Sequence, residues 1–271
     1  MACLAHGRTG LVVGVSAQRV AKLFPVRLAH LAHREFAALR AARDAGLPVP
    51  APIRLKMSRH GVGLIMDRVQ GQTLNDQFLG RPFGGVRLFL ALRRMARLHA
   101  RINAVAAPEL ECRREAMVQA VRASGLDAVC QEAALAPLND PCPLMLCHGD
   151  MHISNIFWST NGLVVVDWQD AGAGWPEYDA ARAFLIFLFG ESSRTFGRRM
   201  AAEAYLHWYC RYSGLRREDV QRWLPTAAAV RLGGGTVQEG RAALIAFTAR
   251  WVHGPQAGVP STMTNGAKSV T

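Results

Sequence analysis

The chain has 271 residues, half of them apolar, and carries 32 basic against 20 acidic side chains for a net charge of +12. That apolar content excludes a chain disordered throughout, and the length suits one large domain or two lobes sharing a cleft. All but three of the cations are arginines, spread along the chain without a basic run interleaved with aromatics, so the charge gives no ground for nucleic-acid binding.

In chain order, apolar and β-branched runs at 11–15 and 19–24, broken by Ser16, Ala17 and Gln18, predict a hairpin. Only six residues precede Gly7, so any strand before it is short. Leu28, Leu31, Phe36 and Leu39 recur at near-helical spacing and predict a helix over 27–45, stopped by Gly46 and Pro48. Strands at 53–57 and 62–69 flank a turn at His60 and Gly61. Beyond Gly85, helices are expected at 86–102, 109–124, 181–189 and 198–212. Short strands at 144–147, 156–158 and 163–166 interrupt them, joined by a polar loop at 148–155 and a turn at 160–162. The expected organisation is a strand-rich part over 1–70, a mainly helical part over 71–252 and a disordered tail, rich in Gly, Pro, Ser and Thr, over 253–271. The cysteines Cys3, Cys112, Cys130, Cys142, Cys147 and Cys210 have no framework spacing, which reads as a reduced cytoplasmic protein. No signal-peptide pattern opens the chain, and its most apolar segment, 183–189, is too short to span a bilayer, so no membrane partner is expected.

The residues best suited to chemistry lie in the interruption between the helices. His148-Gly149-Asp150 is followed by Asn155 and, after a strand-turn-strand, by Asp167 at the end of Leu163-Val164-Val165-Val166. Asn155 and Asp167 offer the hard oxygen ligands that magnesium takes. That leaves Asp150 to orient an attacking hydroxyl and accept its proton. Each residue alone reads equally well as a turn residue; their joint spacing favours a metal-assisted phosphoryl-transfer site.

Cys147-His148-Gly149-Asp150-Met151-His152-Ile153-Ser154-Asn155 resembles the catalytic loop of aminoglycoside phosphotransferases, choline kinases and related small-molecule kinases. Val166-Asp167-Trp168-Gln169-Asp170 is similar to the metal-binding segment of that family, and Pro176-Glu177-Tyr178-Asp179-Ala180-Ala181 to the acidic segment after it. Gly149 stands where protein kinases carry Arg, and Trp168 where they carry Phe, so the small-molecule branch fits better. The resemblance implies an α+β, two-lobed protein-kinase-like fold, with a small β-rich N-lobe and a mainly helical C-lobe. It implies ATP and Mg2+ in the cleft, with Lys22 on the α- and β-phosphates and Glu35 as its partner. Gly7 and Gly10 read either as an ordinary turn or as the turn that covers the phosphates, and Met66, Asp67 and Val69 either as an edge strand and turn or as the hinge against adenine. Lys22 lies between Val20 and Phe24, where an unpartnered charge is costly, and this separates it from Lys56. Asp179 reads either as support for the catalytic loop or as a helix N-cap, and His99 as a packed helix residue without chemistry.

The acceptor implied is a small molecule with a hydroxyl, read by the segment 109–140 and the helices after Asp179. The strong net basicity favours a neutral or anionic acceptor over a polycation. The alternative is a catalytically silent protein of the same fold that binds a nucleotide or a partner, to which the short first strand points.

Overall fold

The computed structural model describes residues 3–6, 10–78, 84–160, 162–190, 195–235 and 240–254. Five strands, β1 (Cys3–His6), β2 (Leu11–Gly14), β3 (Arg19–Pro25), β4 (Pro52–Ser58) and β5 (Gly61–Asp67), form one antiparallel sheet in the order β1-β2-β3-β5-β4. Side chains alternate across it, as the period of a strand requires. Lys22 pairs with Leu64 and Phe24 with Val62, all on the face that packs against α1 (Ala29–Asp44). Val13, Ala21 and Ile65 form a small separate patch on the other face.

The buried stripe of α1 is Ala32, Glu35, Ala38, Leu39 and Ala42, so one carboxylate sits among alanines facing the sheet. The helix ends in a left-handed cap: Gly46 has φ +70°, its N–H donates to Arg43 O and that of Leu47 to Ala42 O. The strand expected to reach Val69 stops at Asp67, opposite Arg19 where its partner β3 begins, with one further bond from the Arg68 N–H to Gln18 O.

The rest of the chain is mainly helical. It contains β6 (Gln72–Thr73), α2 (Leu74–Phe78), α3 (Gly84–Asn103), α4 (Arg114–Arg122), α5 (Ala128–Leu135), β7 (Met145–Cys147), β8 (Ile156–Ser159), β9 (Gly162–Val165) and β10 (Gly172–Gly174). It closes with α6 (Pro176–Phe189), α7 (Thr195–Ser213), α8 (Arg217–Gln221), α9 (Leu224–Gly233) and α10 (Arg241–His253). Strands β6, β8 and β9 make a small antiparallel sheet, and β7 pairs with β10. One apolar core runs continuously from the face of the large sheet through the helices.

The helix expected over 109–124 is confined to Arg114–Arg122. Residues 109–113 run beside β10 instead, with the Ala173 N–H donating to Glu111 O and Cys112 bridging Ala173. Most of the expected tail lies outside the described residues, although His253 itself ends α10. Among the described residues no helix is long and apolar enough to cross a membrane.

Candidate active site

Strand β7 ends in a loop whose backbone is held from behind by one carboxylate. Asp179, in the first turns of α6, accepts from the His148 N–H at 2.8 Å, the Gly149 N–H at 2.9 Å and Asn103 Nδ2 at 3.0 Å. His99 Nε2 lies 2.8 Å from the same carboxylate, and its Nδ1 meets the Tyr205 hydroxyl at 2.7 Å. Burial alone would raise the Asp179 pKa; the neighbouring His99 and the bonds from His99 and Asn103 outweigh it and hold the carboxyl well below the usual range. The N-cap of α6 is Trp175, with Pro176 after it, so Asp179 serves the loop and not the helix end. His99, read from sequence as packed without chemistry, belongs to this buried support.

Gly149 is required by two features at once: its φ is +79°, and a Cβ there would stand 2.3 Å from Asp170 O. The His148 ring is fully buried, with Nε2 3.1 Å from Val166 O and Nδ1 accepting from the Asp150 N–H at 3.2 Å. That pattern fixes the neutral Nε2–H tautomer, in keeping with the burial that pushes this imidazole's pKa down.

Asp150 follows, with its carboxylate 3.5 Å from His152 Nε2 and 3.9 Å from Arg182 Nη2. Burial would raise its pKa, but the His152 hydrogen bond and the Arg182 charge prevail and keep it ionised well below the usual carboxylate range. Asn155 Nδ2 donates to the Asp150 carbonyl at 2.9 Å, which turns the amide oxygen of Asn155 the other way. The Asn155 carbonyl accepts from the Val166 N–H at 2.9 Å, so Asn155 hangs beside the start of the Asp167 turn.

Asp167 has φ +64°, a left-handed backbone that Asp tolerates better than most residues and that is common at functional sites. The next residue, Trp168, is fully buried and donates its N–H to Glu35 Oε1 at 3.2 Å. Lys22 Nζ lies 2.8 Å from Glu35 Oε2 and 2.6 Å from Asp167 Oδ1. Two carboxylates thus share one ammonium. Burial lowers the Lys22 pKa, but the two negative charges outweigh it and keep the lysine charged. Burial pushes the Glu35 carboxyl up to about 6 against the pull of Lys22. Asp167 is about one-third exposed whereas Lys22 and Glu35 are buried, so Asp167 is the member that faces outward.

The expected site residues therefore fall into two groups held by the same turn: Lys22, Glu35 and Asp167, and Asp150 with Asn155. Met66 pairs with Val20, on the sheet face that carries Lys22. Asp67 closes β5 with its N–H on Ala51 O, and Val69 lies in the link beyond. Gly10 stands just before β2, where a Cβ would come 2.7 Å from Leu23 O, so close pairing with β3 accounts for this glycine. Gly7 lies outside the described residues. The amide oxygen of Asn155 and the carboxylate of Asp167 are hard oxygen donors of the kind Mg2+ takes, and the donor set suits that ion.

A cavity of about 300 Å³ opens beside the loop, lined by Cys147, Gly149, Asp170, Arg113, Tyr178 and Arg182 among others. None of its charged residues was singled out from sequence. Arg182 carried a readable signal, the one charge in the apolar stretch 180–189 of its helix, between the buried Ala181 and Ala183.

The sequence profile of the phosphotransferase enzyme family matches residues 4–220. The chain belongs to that family. Among solved structures, this phosphotransferase is similar to an aminoglycoside phosphotransferase, APH(3'')-Id, from Streptomyces rimosus, at 18% identity and TM-score 0.58, covering 80% of this chain and 88% of that one. It is similar to APH(2'')-IIa, solved with streptomycin and ATP, at 16% identity and TM-score 0.59, covering 92% and 90%. It is also similar to the amicoumacin kinase hAmiN, solved with AMP-PNP, Ca2+ and Ami, at 14% identity and TM-score 0.61, covering 93% and 87%. At these identities the likeness establishes the two-lobed kinase-like fold expected from the sequence. No curated protein matches the chain.

Proposed function

We propose that this phosphotransferase moves the γ-phosphoryl group of ATP, with Mg2+, to a hydroxyl of a small molecule. The observation that carries the reading is the double ion pair of Lys22 with Glu35 and Asp167, which joins residues 145 positions apart and ties the sheet and α1 to the Asp167 turn. The solved relatives support it, since they hold ATP with streptomycin, or AMP-PNP with Ca2+ and Ami.

In this reading Lys22, steered by Glu35, holds phosphate oxygens of the nucleotide. Asn155 and Asp167 hold the metal through oxygen. Bound magnesium neutralises charge that builds on the phosphate oxygens. Asp150 receives the acceptor hydroxyl. A carboxylate held well below its usual pKa is a weak base, so Asp150 orients the hydroxyl first and takes its proton late, as the bond to phosphorus forms. That timing suits a loose transition state, in which the nucleophile is still largely protonated. The remaining catalysis is positioning by a loop whose backbone N–H groups are locked on Asp179.

The test is incubation with γ-labelled ATP and Mg2+ across small hydroxyl compounds. Label recovered in an organic phosphate ester supports the reading. Tight nucleotide binding with no label transferred to any compound favours a catalytically silent member of the fold.

A further inference from the structure

The cavity beside the catalytic loop has a charge balance of its own. Its charged lining residues are Arg113, Arg182 and Asp170. Arg182 Nη2 lies 3.6 Å from Asp170 and 3.9 Å from Asp150, so one guanidinium spans the cavity wall and the loop. Arg113 Nη1 donates at 2.8 Å to the backbone carbonyl of Asp170, a neutral acceptor. The buried Nε atoms of Arg113 and Arg182 have no hydrogen-bond partner among the described residues. Asp150 and Asp170 balance Arg182, whereas Arg113 is bonded to a backbone carbonyl and brings the cavity wall a positive charge of its own. A polycationic acceptor would meet like charge here.

Size points the same way. Pockets for drug-sized ligands run from about 300 to 1,000 Å³, which puts this one at the small end, suited to a compound of one ring or a short chain. An apolar wall from Ala116, Met117 and Val230 leaves the arginines as the anchoring groups. A guanidinium matches a carboxylate or a phosphate in shape and charge, and Arg113 is the freer of the two, since Arg182 also bonds Tyr178.

We infer that the acceptor is a small hydroxy compound bearing one carboxylate or phosphate group, which Arg113 and Arg182 hold while its hydroxyl meets Asp150. This rests on the phosphotransfer reading above.

The test compares gluconate, glucose 6-phosphate, glucose, glucosamine and streptomycin as acceptors with Mg·ATP. The expected result is a kcat/KM at least tenfold higher for gluconate or glucose 6-phosphate than for glucose or glucosamine; which of the two leads separates carboxylate from phosphate. Arg113→Gln then raises the KM of the anionic acceptor by roughly 10–100-fold, the loss of one charge-assisted contact, with kcat and the KM for ATP nearly unchanged. A purely structural role for Arg113 would weaken charged and neutral acceptors alike, and that result overturns the inference. So does preference for glucosamine or streptomycin, which leaves the kinase reading intact. Calorimetry on the Mg·AMP-PNP complex covers the case of slow turnover: nucleotide binding without binding of either anionic compound overturns the inference alone. Failure to bind the nucleotide overturns the phosphotransfer reading, and the inference with it.

Discussion

Replacing Asp179 by Asn changes one atom behind the catalytic loop. Three donors converge on Oδ2, from His99, Asn103 and the His148 backbone, while Oδ1 takes the Gly149 N–H. The amide oxygen of Asn will keep the three, so its NH2 faces the Gly149 N–H, donor against donor. One hydrogen bond to a charged group is lost, worth about 1.5–3 kcal/mol. The other three lose their charge assistance, and the total reaches about 3–5 kcal/mol, the range found when a buried ionic partner is removed. Against a total stability of about 5–15 kcal/mol this leaves a folded but weakened protein. Urea unfolding followed by tryptophan fluorescence at pH 7 reads the shift in midpoint. The loss also depends on pH. The folded-state pKa of Asp179 is depressed, so its contribution is complete above the unfolded value of about 4 and disappears as pH falls below it. The titratable groups around it, His99, His148, Cys147, Tyr178, Tyr205 and Tyr209, are present in both proteins. The gap between native protein and Asp179→Asn should therefore be widest near neutrality and narrow below about pH 4. A difference under about 1 kcal/mol at pH 7, with unchanged slope, would refute the account of the loop's support.

Three further outcomes follow from the same geometry. Gly149→Ala places a Cβ against Asp170 O on a left-handed backbone, a strain of about 1–2 kcal/mol before any clash is relieved; phosphate transfer should fall further than nucleotide affinity, measured by steady-state rates and titration. Chelation with EDTA should abolish transfer and added Mg2+ restore it, while Asn155→Ala should raise the Mg2+ concentration for half-maximal rate at least ~10-fold. Trp168→Ala empties a fully buried site and should cost about 3–5 kcal/mol in urea unfolding, whereas Trp158→Ala, more than one-third exposed, should cost less than about 1 kcal/mol.

The loop from His148 to Asn155 and the Asp167 turn were legible because polar residues at fixed spacing interrupt apolar strands, and such residues need a reason to sit at strand ends. Lys22 was legible for a similar reason, as a charge inside an apolar strand. Glu35 was harder to place, because the stripe it shares is alanines with a single leucine, Leu39, while Leu31 and Phe36 are only partly buried. Its partner is 13 residues away in another element, beyond the reach of helix spacing rules. Strand β10, Gly172-Ala173-Gly174, has no strand propensity and exists through pairing with β7, and the same neighbourhood draws residues 109–113 out of the expected helix. Asp179 had two physical readings from sequence, and only the position of Trp175 at the cap decides between them. Arg113 belongs to no motif and is distinguished by the cavity it shares with Arg182, whose own signal is a charge in an apolar stretch of helix.

The measurement closest to the central claim is acceptor-dependent ADP formation from Mg·ATP by the native chain and Asp150→Asn, with Mg·ATP affinity measured on both. The account predicts a fall of roughly 10²–10⁴-fold in the acceptor-dependent rate at unchanged nucleotide affinity. Equal rates in the two proteins would contradict it.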